Sequence, residues 1–147
     1  MAAPSNFALH PRLAADTVEI TRLALCQVRL MNDATYPWVI LIPERDGVRE
    51  IHELSDDEQC QLIRESSLVA RCMVDLFSPD KLNIAALGNL VPQLHIHHIA
   101  RFQDDPAWPQ PVWGRCPPRP YVTAQLDARL AALRDGLHSL RIPSSAP

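Results

Sequence analysis

The 147-residue chain contains four glycines, and their positions exclude several motifs of nucleotide-binding and hydrolytic enzymes. Gly47, Gly88, Gly114 and Gly136 lie far apart in the sequence. They form neither the G-x-x-x-x-G-K-[ST] phosphate loop nor the G-x-G-x-x-G turn that binds dinucleotides. The G-x-S-x-G turn around a hydrolase serine is also missing. We therefore exclude the nucleotide-binding and hydrolase folds that carry these three motifs.

The chain also lacks a strong charge of one sign and a long apolar run, and its first ten residues do not have the pattern expected of a secretory signal. It has 14 basic and 17 acidic residues, a net charge of −3, which gives no electrostatic footprint for duplex nucleic acid or an anionic membrane. The apolar run Trp38–Ile42 is far shorter than the ~20 residues of a membrane helix. Residues 1–10 lack the basic start and apolar middle of a signal peptide. We expect a cytoplasmic protein that spans no membrane and does not bind duplex nucleic acid.

The cysteines show no C-x-x-C spacing of a metal or redox site, so we expect reduced thiols. A chain of this length buries enough surface to fold without disulfides. We predict a single domain over residues 1–147, with its core in 17–101.

Hydrophobic periodicity predicts a mainly antiparallel sheet. Ala24–Leu30 alternates with a period near two, which is typical of a strand, and Thr17–Arg22 is its expected partner. Trp38–Ile42 is apolar throughout, as in a central strand covered on both faces. Lys81–Leu87 and Leu94–Ala100 are two further predicted strands.

Two helices and one long loop complete the predicted architecture. Ser55-Asp56-Asp57-Glu58 is a capping box, and apolar residues at steps of three and four continue from it to Phe77. Residues 104–121 carry six prolines and two tryptophans and predict an ordered loop. A leucine seam predicts a C-terminal helix over 122–140. The predicted fold class is α+β, with about five antiparallel strands, one long helix packed on them and a C-terminal helix.

The most informative stretch is Gln93-Leu94-His95-Ile96-His97-His98-Ile99. Because side chains alternate along a strand, Gln93, His95 and His97 should share one face. Two imidazoles and an amide on one face of an apolar sheet exceed what packing needs, so this face predicts function. His98 should face the core, where we interpret it as a hydrogen-bonded structural residue.

Two kinds of chemistry fit H-x-H on a strand. The two imidazoles could converge on a metal ion, or one could act as a nucleophile while its neighbour handles charge. A metal site would need further ligands, and the candidates His52, Asp104 and Asp105 have no diagnostic spacing. The residues alone leave both chemistries open.

The segment 88–101, Gly-Asn-Leu-Val-Pro-Gln-Leu-His-Ile-His-His-Ile-Ala-Arg, resembles the signature of the histidine triad (HIT) family. That signature is H-φ-H-φ-H-φ-φ, preceded by G-Q-x-V-x. Residues 30–32, 38–43 and 50–54 also match the family's order of elements, so the resemblance covers roughly residues 25–101. It implies a homodimer that binds a nucleotide or nucleotide conjugate and needs no cofactor.

The resemblance also implies roles for individual residues. His95 corresponds to the middle histidine, which is the family's nucleophile, and His97 to the third, which contacts phosphate. Gln93 stands where the first histidine belongs. The remaining matches are Asn89 at the phosphate-binding glutamine, His52 at an additional histidine that supports the triad, and Asn32 near the ribose.

Three other residues are candidates for substrate contacts. Arg101 could neutralise phosphate, although an arginine at a strand end is often simply solvated. Trp108 and Trp113 could stack on a nucleobase or leaving group, or could pin their loop to the protein or to a partner subunit.

We predict a nucleotide hydrolase or nucleotidyl transferase. In this hypothesis His95 attacks the α-phosphorus of a nucleoside monophosphate conjugate, and water cleaves the resulting nucleotidyl-histidine. The alternatives are a nucleotide-binding module without turnover and a metal-binding protein that uses His95 and His97.

Overall fold

An antiparallel sheet of five strands forms the centre of the computed structural model, which describes residues 6–141. The strands are β1 (Thr17–Arg22), β2 (Cys26–Met31), β3 (Trp38–Pro43), β4 (Lys81–Ala85) and β5 (Ile96–Arg101). Their order across the sheet is β1-β2-β3-β5-β4, and every neighbouring pair is antiparallel. β3 is central, as its uninterrupted apolar sequence predicts. The α+β fold class is confirmed.

Within the described residues, three α-helices flank the sheet: α1 (Pro11–Asp16), α2 (Asp56–Phe77) and α3 (Thr123–Arg141). A 3₁₀ turn at Ile51–Glu53 precedes α2. The predicted capping box starts α2: the Ser55 hydroxyl accepts the Glu58 N–H at 3.3 Å, and the Glu58 carboxylate accepts the Ser55 N–H at 3.0 Å. No helix within residues 6–141 has the length and apolar character to cross a bilayer.

The two faces of the sheet are buried against different parts of the chain. On one face, Val28, Leu41 and Ile96 pack with Leu62 of α2 and Leu133 of α3. The other face carries a second apolar cluster that includes residues of β3, β5, the N-terminal segment and the proline-rich loop. Its buried members are Leu13, Tyr36, Trp38, Ile40, Ile42, Val91, Ile99, Ala107 and Val112.

The ends of several predicted strands differ in the structure, and the helix α1 was not predicted. β2 begins at Cys26 and not at Ala24. β4 ends at Ala85, which pairs with His97, and β5 begins at Ile96, which pairs with Leu41 of β3. The Leu94 N–H instead donates to the Val48 carbonyl at 3.1 Å, so the chain before Ile96 leaves the ladder. The short helix α1 has a proline at its start, a position that proline favours.

Gly136 of α3 generates a stability prediction. Alanine inside a helix is normally more stable than glycine by about 1 kcal/mol. A Cβ at Gly136, however, would lie 2.8 Å from Sγ of the buried Cys72. Because overpacking costs about 1–3 kcal/mol, Gly136→Ala should lower the free energy of unfolding by about 1 kcal/mol, as measured by urea denaturation.

The matched control is the same substitution in a Cys72→Ala background. There the sulfur is gone, so Gly136→Ala should raise the free energy of unfolding relative to Cys72→Ala alone. Stabilisation of the same size in both backgrounds would contradict the proposed close contact.

Candidate active site

The three clustered histidines occupy opposite faces of the sheet, as strand alternation requires. In the β3–β5 register His97 lies beside Ile40, and His98 lies beside Val39. His97 belongs to the face with Trp38 and Trp113, whereas His98 turns towards α2. His95 lies just before β5, and its ring centroid is 4.9 Å from that of His97.

His97 is held by an indole. The Trp38 Nε1–H donates to His97 Nδ1 at 3.0 Å. An indole N–H can only donate, so Nδ1 of His97 carries no proton and a neutral His97 has its proton on Nε2. Burial, followed by the neighbouring His95 and His98, lowers the pKa of His97 to about 3. His97 is therefore a neutral hydrogen-bond donor through Nε2 near pH 7.

His95 has the opposite arrangement. Its Nδ1 lies 2.7 Å from the backbone carbonyl oxygen of Gln93. A carbonyl can only accept, so Nδ1 of His95 carries the proton and donates it. In the neutral ring the Nε2 lone pair is then available. His95 thus has the protonation pattern of a nucleophile, and His97 has that of a donor.

His98 has a structural environment. Its Nε2 lies 2.7 Å from the Ser66 hydroxyl of α2, and its Nδ1 lies 3.2 Å from the Ile96 carbonyl oxygen. Burial lowers the pKa of His98 to about 4, although the hydrogen bonds to backbone oppose this shift. A neutral His98 therefore connects the sheet to α2, consistent with the role expected from the sequence.

The proline-rich loop brings Trp113 to the histidines. The Trp113 ring centroid is 5.2 Å from that of His97 and 5.8 Å from that of Trp38, both in edge-on geometry. Trp113 is only partly buried, so it forms a wall beside His97 that a ligand could contact.

Arg101 lies in a buried network instead of at the surface. Only 1% of it is exposed. Its guanidinium donates to both Asp105 carboxylate oxygens, to the Asn83 side chain and to the Gln110 carbonyl. It also lies 5.8 Å from the centre of the Trp108 ring. Arg101 and Trp108 thus anchor the loop that carries Trp113, and a contact between Arg101 and substrate would require it to leave these partners.

Asp105 completes this anchor. Burial opposes its ionisation, but hydrogen bonds from Arg101 and from the N–H groups of Phe102 and Ala107 hold the pKa of its carboxyl below the usual range. The ion pair is therefore formed at neutral pH, and it is the physical reason why a segment so rich in proline has a defined shape.

Three other sequence candidates have no recorded bond to the paired histidines within residues 6–141. Asn89 is exposed in the connection between β4 and β5, and His52 is exposed on the 3₁₀ turn. The Asn32 side chain accepts the Tyr121 N–H at 3.0 Å, which ties the end of β2 to the chain before α3. Within residues 6–141, no hydrogen bond or ring contact of the structure links these three side chains to His95 or His97.

Gln93 lies next to His95 in sequence, but its side chain is used elsewhere. The amide bonds to the backbone of the N-terminal segment: Nε2 donates to the Ala8 carbonyl and Oε1 accepts the His10 N–H, both at 2.9 Å. Gln93 bonds to the site through its backbone carbonyl, which accepts the Nδ1–H of His95.

Trp38 is the site residue that the sequence did not reveal. It begins an apolar strand, and we predicted only burial for that strand. Its indole N–H meets His97 because the β3–β5 register places the two side chains on one face. A buried tryptophan usually finds a hydrogen-bond partner, but the identity of that partner depends on the register.

The described part of the chain, residues 6–141, offers no group of three or more His, Cys, Asp or Glu side chains that could hold a metal ion. The ligands that a metal at His95 and His97 would additionally require are thus not assembled by this fold.

Comparison with known proteins shows which family the chain resembles. The HIT domain family model matches residues 12–104. A histidine triad protein from Marinobacter aquaeolei is 54% identical, with a TM-score of 0.88, and the alignment covers 91% of this chain and 98% of that one. A histidine triad protein from Bradyrhizobium japonicum is 46% identical, with a TM-score of 0.87 and coverage of 89% and 98%.

A third structure, a histidine triad protein from Sinorhizobium meliloti, is 41% identical, with a TM-score of 0.88 and coverage of 91% of this chain and 99% of that one. No curated protein matches the sequence significantly. The family model spans well over half of the chain, and these relatives align over nearly all of it. The chain therefore belongs to the histidine triad family, whose members bind nucleotides and include nucleotide hydrolases and transferases.

Proposed function

We propose that this protein cleaves a nucleoside monophosphate from a leaving group through a nucleotidyl-histidine formed on His95. The observation that carries this proposal is the pair of opposite protonation patterns: Nδ1 of His95 faces a carbonyl, and Nδ1 of His97 faces an indole N–H. One ring then offers a lone pair at Nε2 while its neighbour offers an N–H at Nε2. This is the combination that a displacement at phosphorus needs.

The proposed reaction has two displacements. In the first, Nε2 of His95 attacks the α-phosphorus, a nitrogen–phosphorus bond forms, and the bond to the leaving group breaks. In the second, water attacks phosphorus in a hydrolase, or another acceptor does so in a transferase, and the bonding pair returns to Nε2 of His95. His97 donates through Nε2–H to a phosphoryl oxygen in both steps. Splitting one difficult displacement into two easier ones is the benefit of covalent catalysis.

Trp38 supports this chemistry through His97. By occupying the Nδ1 lone pair, the indole keeps the proton of His97 on Nε2, and burial keeps the ring neutral. Trp113 would bound the phosphate or the leaving group on the side of the loop. Asn89, Asn32 and His52 match family positions and are further candidates for contacts with the nucleotide.

Substitution of the two histidines tests the assignment of the nucleophile. His95→Asn should abolish both turnover and the covalent nucleotidyl adduct, because it removes the attacking nitrogen. His97→Asn should reduce turnover by roughly 10²–10³-fold and still form the adduct, because one donor to the phosphate is lost. Intact-mass spectrometry after rapid mixing with an activated nucleoside monophosphate ester reports the adduct, and thermal unfolding checks the fold.

Adduct formation that persists in His95→Asn and disappears in His97→Asn would contradict the assignment. It would place the nucleophile two residues later and Gln93 outside the triad.

A second prediction concerns the indole that fixes the His97 proton. Trp38→Phe keeps an aromatic ring but removes the N–H, so His97 can place its proton on either nitrogen. Turnover should fall by up to about 100-fold. The pKa of His97 should rise from about 3, because its Nδ1 lone pair becomes free to bind a proton. The ¹⁵N chemical shifts of the His97 ring, followed in a pH titration, check this rise.

Trp113→Phe is the matched control, since Trp113 contacts His97 only through its ring. Its effect on turnover should be smaller, and the pKa of His97 should not rise. Equal effects of the two substitutions would show that the Trp38 hydrogen bond has no special role.

The two alternative functions give different results in the same assays. A binding module without turnover would be protected from thermal unfolding by nucleoside monophosphates, yet would form no product. A metal-dependent protein would lose activity in chelator and regain it with metal. Our mechanism predicts full activity in EDTA, because the nucleophile is a side-chain nitrogen and not a metal-bound water.

We also propose that the protein is a homodimer, as its family resemblance implies. β4 is an edge strand of the sheet, and Ile84 on it is 52% exposed. Leu90 in the following connection is 77% exposed, and Ile63 on α2 is 63% exposed. Apolar side chains this exposed are candidates for an interface between copies. Light scattering at micromolar concentration should give twice the chain mass, and a monomeric mass would refute the dimer.

A further inference from the structure

The side chain of Gln93 forms a two-point clamp on the N-terminal segment. Its Nε2–H donates to the carbonyl of Ala8, and its Oε1 accepts the N–H of His10, each at 2.9 Å. These two backbone groups flank Leu9. The amide therefore pairs with the segment in the way that one strand residue pairs with another, although more than 80 residues separate the partners.

Among the residues that could stand at position 93, an amide is specifically suited to this pairing. A carboxylate accepts but cannot donate, so it would leave the Ala8 carbonyl without a partner. A neutral imidazole has one donor and one acceptor, but they lie on diverging edges of the ring and cannot address two adjacent backbone groups together. A histidine at this position would therefore lose at least one of the two bonds.

The clamped segment packs against the aromatic residues of the site. Phe7 and Leu9 contact the apolar cluster that contains Trp38 and Val91, and Trp113 packs against the same cluster. The segment continues into α1, where His10 caps the helix by accepting the Arg12 N–H. Gln93 thus links the N-terminal segment and α1 to the chain just before β5.

The backbone of the same residue holds the proposed nucleophile. The Gln93 carbonyl accepts the Nδ1–H of His95 at 2.7 Å. Gln93 precedes the first ladder pair of β5 at Ile96, so strand pairing does not fix its peptide group. Two constraints supply this fixation: the Leu94 N–H of the same peptide group donates to the Val48 carbonyl at 3.1 Å, and the clamp holds the Gln93 side chain.

We propose that Gln93 is a positioning residue that couples the N-terminal segment to the orientation and protonation of His95. Anchored on Ala8–His10, its amide acts together with the Leu94–Val48 hydrogen bond to fix the carbonyl that keeps the His95 proton on Nδ1 and leaves Nε2 free. This role for the site rests on the proposed function of His95 as the nucleophile. Gln93 then does not replace the first triad histidine in function, because its side chain hydrogen-bonds to the backbone of the N-terminal segment and not to the substrate.

The decisive variant is Gln93→His, which restores a histidine at the first triad position. If the side chain at position 93 served the proton network, this change would raise turnover. The clamp predicts the opposite: kcat should fall by about tenfold with KM nearly unchanged, because His95 is less often in its reactive form. Gln93→Met, which removes both bonds, should behave in the same way.

Two spectroscopic readouts separate positioning from general destabilisation. In Gln93→His and Gln93→Met, imidazole ¹⁵N shifts should show a population of His95 with its proton on Nε2. In Gln93→Met, amide exchange at His10 should accelerate by about tenfold or more, whereas exchange in β3 and β5 stays slow. Gln93→Glu retains the acceptor and should keep the His10 amide protected. Gln125→Met, an exposed change on α3, is the control and should alter none of these readouts.

Increased turnover in Gln93→His would overturn the proposal. So would an unchanged His95 proton position in Gln93→Met, even with fast exchange at His10, because the clamp would then be uncoupled from the nucleophile. If the wild-type protein cleaves no nucleotide, the proposed function fails. The His10 exchange and His95 shifts would still decide whether Gln93 positions the ring.

Discussion

Burial of three imidazole rings in and beside β5 is the constraint on which the site depends. A buried imidazole must hydrogen-bond through its nitrogens, and each partner decides which nitrogen carries the proton. His97 faces an indole donor, His95 faces a carbonyl acceptor, and His98 is held by Ser66 and a carbonyl. The same contacts that make these rings compatible with the core therefore assign their chemistry.

This constraint also explains why the two faces of β5 have different roles. On the face towards α2, both ring nitrogens of His98 hydrogen-bond to protein groups, and the ring contributes to packing. On the opposite face, the N-terminal segment and the proline-rich loop cover the sheet, and His95 and His97 each make one such bond. The anchored loop brings Trp113 against His97, so the ion pair between Arg101 and Asp105 shapes the wall of the site without reaching it.

The sequence predicted those features that depend on local pattern. Alternation and capping placed the strands and the start of α2, and period two separated His98 from His95 and His97. Features that depend on register or on distant segments could not be predicted. The partner of Trp38 follows from the β3–β5 pairing, and the partner of Gln93 lies more than 80 residues away. Burial of Arg101 could not be foreseen either, because it depends on how the loop folds back over the strand end.

The central claim is that His95 carries a proton on Nδ1 while a neutral His97 carries its proton on Nε2, and it can be measured on the wild-type protein without substrate. Long-range ¹H–¹⁵N correlation spectra of the histidine side chains at pH 7 report the protonation of each ring nitrogen. The account predicts the proton of His95 on Nδ1 and that of His97 on Nε2. A His95 ring with its proton on Nε2, or a His97 ring protonated on both nitrogens, would contradict it.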